Sequence, residues 1–483
     1  MVSIKSTRSK PSKPWMSYQL ALISFVLLCL SFNLYLAKSW RNEVKTDSVI
    51  SQGENPTSTT SQVSKSVTTG PPVIAHVVSL IKCSKKASTD GFLDAAAVLR
   101  HSIHKVSYHK NKSAYSYQMY AIIHSHCQQH APVLEKFGYK TLIKDTPVKR
   151  EDIKGQWYRD HVESENCCGS AEFIKLYAYT LTEHPVVVHW DMDVAILKPL
   201  DDLFDAILYD KTSDRGKTAR ANLELQHPEV PLPDKIDAFI TRDITSAQPW
   251  EKVQGVQGGF LVSKPDPSAL QTYIEFITEG NYVKGRNPGS GWADHGNGGF
   301  QGAMAYQGVV AYFYDKLRPN TAVELNVCRW NQVVADVIWR GPTREQHKGQ
   351  CREYPLDGNF TGNVHCEDCR VTPIDLVRTV HYTACKKPWE CAVPHPRVPR
   401  NKKQVYRLSH LTNITTCMNL HRKWFELRED FEEELQKASG VVPAKRDGTH
   451  EEKYFMGYCK RPGQYITMEL PPENFDIGKI YGW

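Results

Sequence analysis

The sequence predicts an α/β protein whose main domain is built on a doubly wound sheet. Between residues 73 and 189, short apolar runs rich in β-branched residues alternate with stretches of helical periodicity, which is the pattern of α/β sheets. The chain has 483 residues, enough for one large domain or two. Its hydrophobic content of 41% indicates a globular body rather than a disordered one.

The elements of the first half of the chain follow in order. Residues 73–81, VIAHVVSLI, form the continuous apolar run that is typical of a buried parallel strand. Apolar residues from Phe92 to Ile103 recur at helical spacing, and Asp90 is a candidate N-cap. In α/β sheets of this kind, ligands bind outside the carboxyl ends of the strands. Further strands are predicted over 117–124, 139–143 and 186–189, and further helices over 130–137 and 170–183.

The second half of the chain is less regular. An apolar stripe along residues 417–438 predicts a long amphipathic helix packed on the core, and residues 441–483 are expected to be irregular. The glycine-rich stretch 280–302 is interpreted as turns around a pocket, because no strand precedes it at the spacing of a dinucleotide fingerprint. Strands are predicted over 237–241 and 259–263, and helices over 267–278 and 303–317.

The N-terminal residues predict a membrane anchor. Residues 16–37 are largely apolar and approach the roughly 20 residues that span a bilayer. Four basic residues and no acid precede them, which predicts a cytosolic tail over 1–15 and a lumenal body, a type II topology. A cleaved signal peptide is the alternative, although the run is long and ends without a good cleavage site. The Ser- and Thr-rich residues 38–72 predict a flexible stem.

Charge and cysteine usage narrow the class further. Of a net charge of +7, most lies in the first 48 residues, so a nucleic-acid binder that relies on phosphate contacts is not expected. Twelve of the 13 cysteines lie outside the apolar run, and glycosylation acceptor sequences occur at Asn111, Asn359 and Asn413. These features are typical of a lumenal protein with disulfides. Cys366 and Cys369 have zinc-ligand spacing but lack a second matching pair, so disulfides are favoured over zinc.

The strongest candidate site is the run Val186–Asp193, VVVHWDMD. Residues i and i+2 of an extended chain point to the same side, so Asp191 and Asp193 can meet one cation. Because the pair follows an apolar strand, it is expected at the open edge of the sheet. Hard oxygen ligands suit Mg²⁺ or Mn²⁺, which are usually shared with a substrate diphosphate. A surface loop with two solvated acids is the alternative.

Two separate blocks resemble glycosyltransferase family 8, the group that includes glycogenin and the plant glucuronic-acid substituting transferases of xylan. The first joins Phe173–Leu176 (FIKL) to Asp191–Asp193 (DMD) and Leu200–Phe204 (LDDLF). The second, His381–Trp389 (HYTACKKPW), is similar to the family's H-Φ-x-G-x-x-K-P-W. The resemblance covers roughly residues 73–400 and implies the nucleotide-sugar-binding GT-A fold. A disulfide-rich, helical extension is expected over 401–483.

The resemblance also implies a reaction and its residues. It implies retaining transfer of a sugar from a UDP-sugar to a hydroxyl of a glycan or glycoprotein, with a divalent metal, usually Mn²⁺. The implied metal ligands are Asp191, Asp193 and His381. The implied donor-binding residues are Lys387 at the diphosphate, Lys175 near the sugar, and Leu80 and Lys82 beside the uracil. The implied catalytic residues are Gln301, near the anomeric carbon, and Asp243, on the sugar or acceptor side.

Some positions depart from the family pattern. Phe300 stands where an acid usually precedes the glutamine, Val256–Gly259 (VQGG) replaces F-N-S-G, and Ala384 replaces a glycine. Two other classes therefore stay open. One is a non-catalytic nucleotide-sugar or glycan-binding protein on the same fold, and the other is a disulfide-rich surface adhesion module.

Overall fold

The computed structural model describes residues 70–83, 88–164, 168–226, 232–243, 255–285, 289–295, 298, 300, 302–333, 348–351, 366–369, 372–383, 386–392 and 414–482. They belong to a compact unit that spans Thr68–Trp483. The predicted tail, anchor and most of the stem lie outside the described residues. Within the described ranges, no helix combines the length and apolar character needed to cross a membrane.

The secondary structure alternates between strands and helices up to β4, as predicted. The strands are β1 (Val73–Leu80), β2 (Ser116–His124), β3 (Lys140–Lys144), β4 (Val187–Trp190), β5 (Val194–Ile196), β6 (Ala238–Arg242), β7 (Val256–Ser263), β8 (Tyr282–Val283), β9 (Gly291–Trp292), β10 (Ala322–Glu324), β11 (Lys348–Cys351), β12 (Cys366–Asp368), β13 (Thr379–His381), β14 (Cys459–Arg461) and β15 (Gln464–Tyr465). The α-helices are α1 (Ser88–Lys105), α2 (Ala131–Lys136), α3 (Gln156–His161), α4 (Asp201–Leu208), α5 (Asp214–Gln226), α6 (Pro267–Glu279), α7 (Tyr306–Tyr312), α8 (Val327–Trp330), α9 (Ile414–Ser439), α10 (Glu452–Phe455) and α11 (Gly478–Tyr481).

Seven strands form the central sheet in the order β10-β6-β7-β4-β1-β2-β3. Strand β7 runs antiparallel to its neighbours β4 and β6. The other neighbouring pairs are parallel. The predicted mixed α/β sheet is therefore confirmed, and the carboxyl ends of β1, β4 and β6 meet the start of β7 at one edge.

Strand β1 shows why the central strands are mostly apolar on both faces. Ile74 and Val78 pack on one face of the sheet in a cluster that includes Leu99 of α1. Ala75 and Val77 pack on the other face with residues of the helix 169–180. Since both faces are covered, most residues of the strand are apolar, and the sequence shows a nearly continuous run, interrupted by His76 and Ser79, instead of an alternation.

Two predicted helices differ in type from a regular α-helix. The helix predicted over 170–183 is a 3₁₀-helix, Gly169–Thr180. The one predicted over 303–317 is α-helical as α7 and continues as a π-helix, Phe313–Leu317. Asp315 lies in that widened turn and accepts two hydrogen bonds from Arg242, at 2.8 and 2.9 Å. This bidentate ion pair joins the π-helix to β6.

The long C-terminal helix is confirmed as α9. Its predicted apolar stripe is buried, with Leu420 and Trp424 fully so. Trp424 belongs to a cluster that also contains Val98 of α1 and Trp389. Residues 441–483 are less irregular than predicted, because they contain α10, α11 and the β14–β15 hairpin. Those elements have two to four residues each, too few to show a sequence period.

Disulfides are present, as the cysteine count predicts. Cys83 bonds to Cys127, Cys328 to Cys369, and Cys391 to Cys459. Cys168 and Cys417 are disulfide-bonded as well. Since Cys369 is held in a disulfide, the zinc alternative for its C-x2-C pair is excluded for that residue.

Candidate active site

The D-x-D motif lies at the carboxyl edge of the central sheet. Strand β4 is buried between β1 and β7 and ends at Trp190, so the chain leaves the sheet with Asp191. The Asp191 backbone N–H donates to the carbonyl of Gly259 on β7, at 3.1 Å. This bond keeps Asp191 beside β7 after the strand ends.

His381 reaches the same place through strand pairing. Strand β13 runs antiparallel to β5, with His381 opposite Val194. The Tyr382 backbone N–H donates to the carbonyl of Asp193 at 2.8 Å. The His381 Nε2 atom consequently lies 3.3 Å from Asp193 Oδ1 and 3.7 Å from Asp191 Oδ2.

The three residues fit a divalent cation. One ligand atom from each of Asp191, Asp193 and His381 lies within 4.8 Å of the other two. Two carboxylate oxygens with one imidazole nitrogen are donors that suit Mn²⁺. A Cβ atom at Gly259 would lie 2.6 Å from Asp191 Oδ2 and 2.4 Å from His381 Cε1. The absence of a side chain at Gly259 therefore provides the space that the Asp191 and His381 side chains occupy.

Two other groups of potential metal ligands occur among the described residues. In the first, Cys83 and Cys127 are joined in a disulfide. The second is centred on His101 and Asp430, between α1 and α9, and Lys105 pairs with that carboxylate at 2.7 Å. The first group lies just beyond the carboxyl ends of β1 and β2, but its two thiols are bonded to each other and so do not offer metal ligands. The second group lies on two helices and not at a strand end.

Lys175 compensates the charge of Asp191. Its Nζ atom lies 2.8 Å from Asp191 Oδ1 and donates to the Gly258 carbonyl at 3.3 Å. Burial by itself lowers the pKa of Lys175, but Asp191 and Glu172 outweigh it and raise that pKa. Burial by itself raises the pKa of Asp191, but Lys175 and His381 outweigh it and lower that pKa. The pair is therefore an ion pair at neutral pH.

Lys387 does the same for Asp193. Its Nζ atom forms an ion pair with Asp193 Oδ2. Burial by itself raises the pKa of Asp193, but Lys387 and His381 together lower it well below its usual range. The neighbouring Lys386 is 42% exposed and lies near Glu390, whereas the Lys387 side chain is 22% exposed. Of the two adjacent lysines, Lys387 is thus the one that faces the candidate site, as the gap-free match to the family block implies.

Asp243 connects to the same site through Gln307. Asp243 follows β6 and is buried. Gln307, in the first turn of α7, donates to Asp243 Oδ2 at 3.2 Å and accepts from the Gly258 N–H at 3.3 Å. Because the Gly258 carbonyl accepts from Lys175, hydrogen bonds link Asp243 to Asp191.

The remaining predicted residues differ in their placement. Gln301 lies outside the described residues. The sequence interpretation overlooked Gln307, although a signal exists, since the Gln-Gly pair of 301–302 recurs six residues later at 307–308, inside a predicted helix. Leu80 packs in the hydrophobic core, and Lys82 is exposed just beyond the carboxyl end of β1.

Comparisons with known proteins give similarity at the level of structure only. No family model matches the chain, and no curated protein matches it. The chain is similar to mouse xyloside xylosyltransferase 1, with 12% identity over 54% of this chain and 87% of that one, at a TM-score of 0.31. It is also similar to the glycosyltransferase GlyE of Streptococcus pneumoniae TIGR4, with 10% identity over 72% of this chain and 63% of that one, at a TM-score of 0.32. A third similar structure is the galactosyltransferase LgtC in complex with donor and acceptor sugar analogues, with 11% identity over 71% of this chain and 95% of that one, at a TM-score of 0.32. Likeness this low leaves the functional argument to the site residues.

Proposed function

We propose that this protein is a glycosyltransferase that moves a sugar from a UDP-sugar to a hydroxyl of a glycan or glycoprotein. The observation that carries the proposal is the cluster of Asp191, Asp193 and His381, with Lys387 paired to Asp193, at the carboxyl edge of the sheet. Two ionised carboxylates and an imidazole hold a divalent cation, and an adjacent lysine suits a diphosphate. This combination matches what a nucleotide diphosphate-sugar requires.

Each residue has a defined role in this proposal. Asp191, Asp193 and His381 would hold Mn²⁺, or Mg²⁺, for which the imidazole nitrogen is a less suitable donor. The metal, when bound, neutralises charge on the diphosphate and on the departing UDP. Lys387 adds a second positive charge at the same diphosphate. Lys175 fixes the carboxylate of Asp191 in place, since it also bonds to the Gly258 backbone.

The transfer itself exchanges one glycosidic bond for another. The bond between the anomeric carbon and UDP breaks, a bond to the acceptor oxygen forms, and the acceptor hydroxyl releases its proton. The buried pair of Asp243 and Gln307 is positioned to orient the sugar, since Lys175 and the Gly258 backbone link it to Asp191. The resemblance in the two sequence blocks favours retention of configuration. It also favours a type II Golgi protein, with the anchor over 16–37.

UDP release from a panel of UDP-sugars tests the proposal. The purified full-length chain should release UDP from one donor when Mn²⁺ is present, and a chelator should abolish the release. Asp191→Asn and Asp193→Asn should each lower the rate by about 100-fold or more, because each removes a charged ligand. Asp447→Asn, which removes an exposed acid paired with Lys460, is the matched control and should leave the rate unchanged.

Calorimetry separates the alternatives if no donor is consumed. Binding of UDP that requires Mn²⁺, without turnover in the presence of acceptors, would indicate a non-catalytic sugar-binding protein. Absence of both UDP and Mn²⁺ binding would contradict the proposal and favour the adhesion module.

A further inference from the structure

The segment 381–391 carries two candidate site residues at once. His381, at the end of β13, is a potential metal ligand, and Lys387 pairs with Asp193. A segment with both functions needs a rigid support, since small displacements of binding groups are costly. In the described residues, the pairing of β13 with β5 supplies part of that support, and the C-terminal helix α9 and the residues after it supply another part.

Several contacts hold this segment to the C-terminal part of the chain. The Tyr382 hydroxyl donates to the Leu420 carbonyl of α9 at 2.7 Å. The ring of Trp389 packs 5.7 Å from that of Trp424, measured between centroids. The end of the segment is fixed by the Cys391–Cys459 disulfide. The segment is thus held at its beginning and at its end.

His421 acts on the middle of the segment. Lys386 has a φ of 47°, in the left-handed region that residues other than glycine rarely adopt. Its carbonyl oxygen lies 3.0 Å from His421 Nε2, and because a carbonyl only accepts, this Nε2 carries the proton. His421 is fully buried on α9. The hydrogen bond therefore stabilises the backbone conformation in which Lys386 is exposed and Lys387 pairs with Asp193.

We propose that His421 is a positioning residue of the diphosphate site, which holds the Lys386 carbonyl so that the Lys387 side chain faces Asp193. Its consequence for nucleotide binding rests on the proposed function. The placement of Lys387 itself is measurable without any nucleotide. The C-terminal extension thereby takes part in donor binding through the backbone of the 381–391 segment.

The first experiment measures amine labelling of the two lysines by mass spectrometry in the purified full-length chain. Lys387 should label more slowly than Lys386, since it is less exposed and paired with Asp193. In His421→Asn the shorter amide no longer reaches the carbonyl, so Lys387 labelling should rise several-fold towards that of Lys386. His421→Gln places its amide nitrogen near the position of Nε2 and should keep the original ratio. His421→Phe, of similar volume and without a donor, should behave like the Asn variant.

The second experiment measures UDP binding with Mn²⁺ by calorimetry. His421→Asn should bind UDP about tenfold more weakly, the size of one buried hydrogen bond. Lys387→Met should lose affinity too, and the double variant should be little weaker than Lys387→Met alone. His421→Gln should restore affinity.

The outcomes separate this inference from the proposed function. Unchanged labelling of Lys387 in both the Asn and the Phe variants would overturn the role of His421. The losses of UDP affinity from His421→Asn and Lys387→Met could instead add in full in the double variant, with a lower melting temperature for His421→Asn. That result would make His421 a purely structural residue and would also overturn the positioning role. A labelling change as expected, together with no UDP binding by the original protein, would support the positioning role and contradict the proposed function.

Discussion

Gly259 lies directly beside the side chains of Asp191 and His381, two of the three candidate metal ligands. It lies in β7 opposite the exit of β4, and its carbonyl accepts the Asp191 N–H. A Cβ atom here would fall within 2.6 Å of a carboxylate oxygen and within 2.4 Å of an imidazole carbon. Atoms this close must separate, so any side chain at 259 displaces the ligands themselves.

We expect Gly259→Ala to weaken Mn²⁺ binding and Mn²⁺-dependent UDP binding by about 100-fold, since a displacement near 1 Å has effects of this size. Calorimetric titration of both ligands measures the change. Gly70→Ala is the matched control, because a Cβ atom at Gly70 has no neighbour within 4 Å. Equal affinities for the Gly259 variant and the original protein would contradict the assigned ligand geometry.

Lys387 should affect the metal and the nucleotide in opposite directions. Without nucleotide it pairs with Asp193 and so competes with a cation for that carboxylate. Lys387→Met should therefore bind Mn²⁺ alone more tightly, by a few-fold, because a nearby positive charge is removed. It should bind UDP with Mn²⁺ more weakly, by about tenfold. Lys386→Met, at the exposed neighbouring position, should change neither affinity, and a parallel shift of both affinities in Lys387→Met would rule out this role.

At the scale of elements, helix α6 shows how sequence signals define helix ends. Asp266 caps the helix and accepts from the Ser268 N–H at 2.9 Å, Pro267 begins it, and Gly280 ends it with a φ of 63°. Arg318 pairs with the other carboxylate oxygen of Asp266 at 2.6 Å. The predicted and observed helices agree closely because these signals are local.

Asp266→Ala should lower the free energy of unfolding by about 1 kcal/mol, the usual effect of losing an N-cap. Burial by itself raises the pKa of Asp266, but hydrogen bonds from Ser268 and Arg318 lower it to about 2. Since this folded-state pKa is below the unfolded value, the stabilisation is complete above about pH 4 and is lost as the pH falls towards 2. Chemical unfolding at pH 7 and pH 3 measures both effects.

Asp266→Asn is the matched control for that pH dependence. It keeps a capping acceptor but does not titrate, so it should be more stable than the Ala variant at pH 7. Like the Ala variant, it should lack the part of the loss of stability at low pH that comes from protonation of Asp266. If the free energy of unfolding falls equally between pH 7 and pH 3 in the original protein and in both variants, protonation of Asp266 does not cause that fall.

At the scale of the whole molecule, neutral histidines are buried inside the main sheet and its helices. Burial lowers the pKa of His76 and of His189 to about 3, and that of His104 to about 2. Their folded-state pKa values lie below the unfolded value of about 6.5. Each therefore stabilises the fold fully above about pH 6.5 and less as the pH falls towards 3. Asp94 acts in the opposite sense, since burial raises its pKa to about 6. Its contribution to the free energy of unfolding is therefore complete below about pH 4 and falls as the pH rises to about 6.

His76→Asn should reduce the pH dependence of stability by about 1.4 kcal/mol per pH unit between about pH 4 and 6. The variant keeps an acceptor for the Trp190 Nε1–H group, which bonds to His76 Nδ1 at 3.0 Å, but it does not titrate. Chemical unfolding at several pH values gives the two slopes. At pH 7.5, His76 is neutral in both the folded and the unfolded state. The difference in free energy of unfolding between variant and original protein at this pH therefore measures the packing lost with the smaller Asn side chain. Identical slopes would show that His76 does not titrate on unfolding in this window.

The sequence by itself determined the α/β class, the central strands and the D-x-D edge. Buried parallel strands require continuous apolar runs, and Asp191 follows such a run directly. The spacing of Asp191 and Asp193 is local as well, so a candidate cation site was predictable from two residues that follow one strand. The apolar run of β1 and the helical apolar stripe of α9 were predicted because both are local patterns of neighbouring residues.

The tertiary structure decided how distant residues join that edge, since the sequence offered only the family resemblance for His381 and Lys387 and nothing for Gln307 or His421. His381 lies next to Asp193 because the three-residue strands β5 and β13 pair, and such short strands carry no recognisable period. Gln307 reaches Asp243, and His421 reaches Lys386, through contacts between elements far apart in the chain. Sequence patterns report the local preferences of neighbouring residues, whereas these contacts depend on how whole elements pack. For that reason the candidate metal ligands Asp191 and Asp193 were predictable from their local spacing, whereas the roles of Gly259, Gln307 and His421 were not.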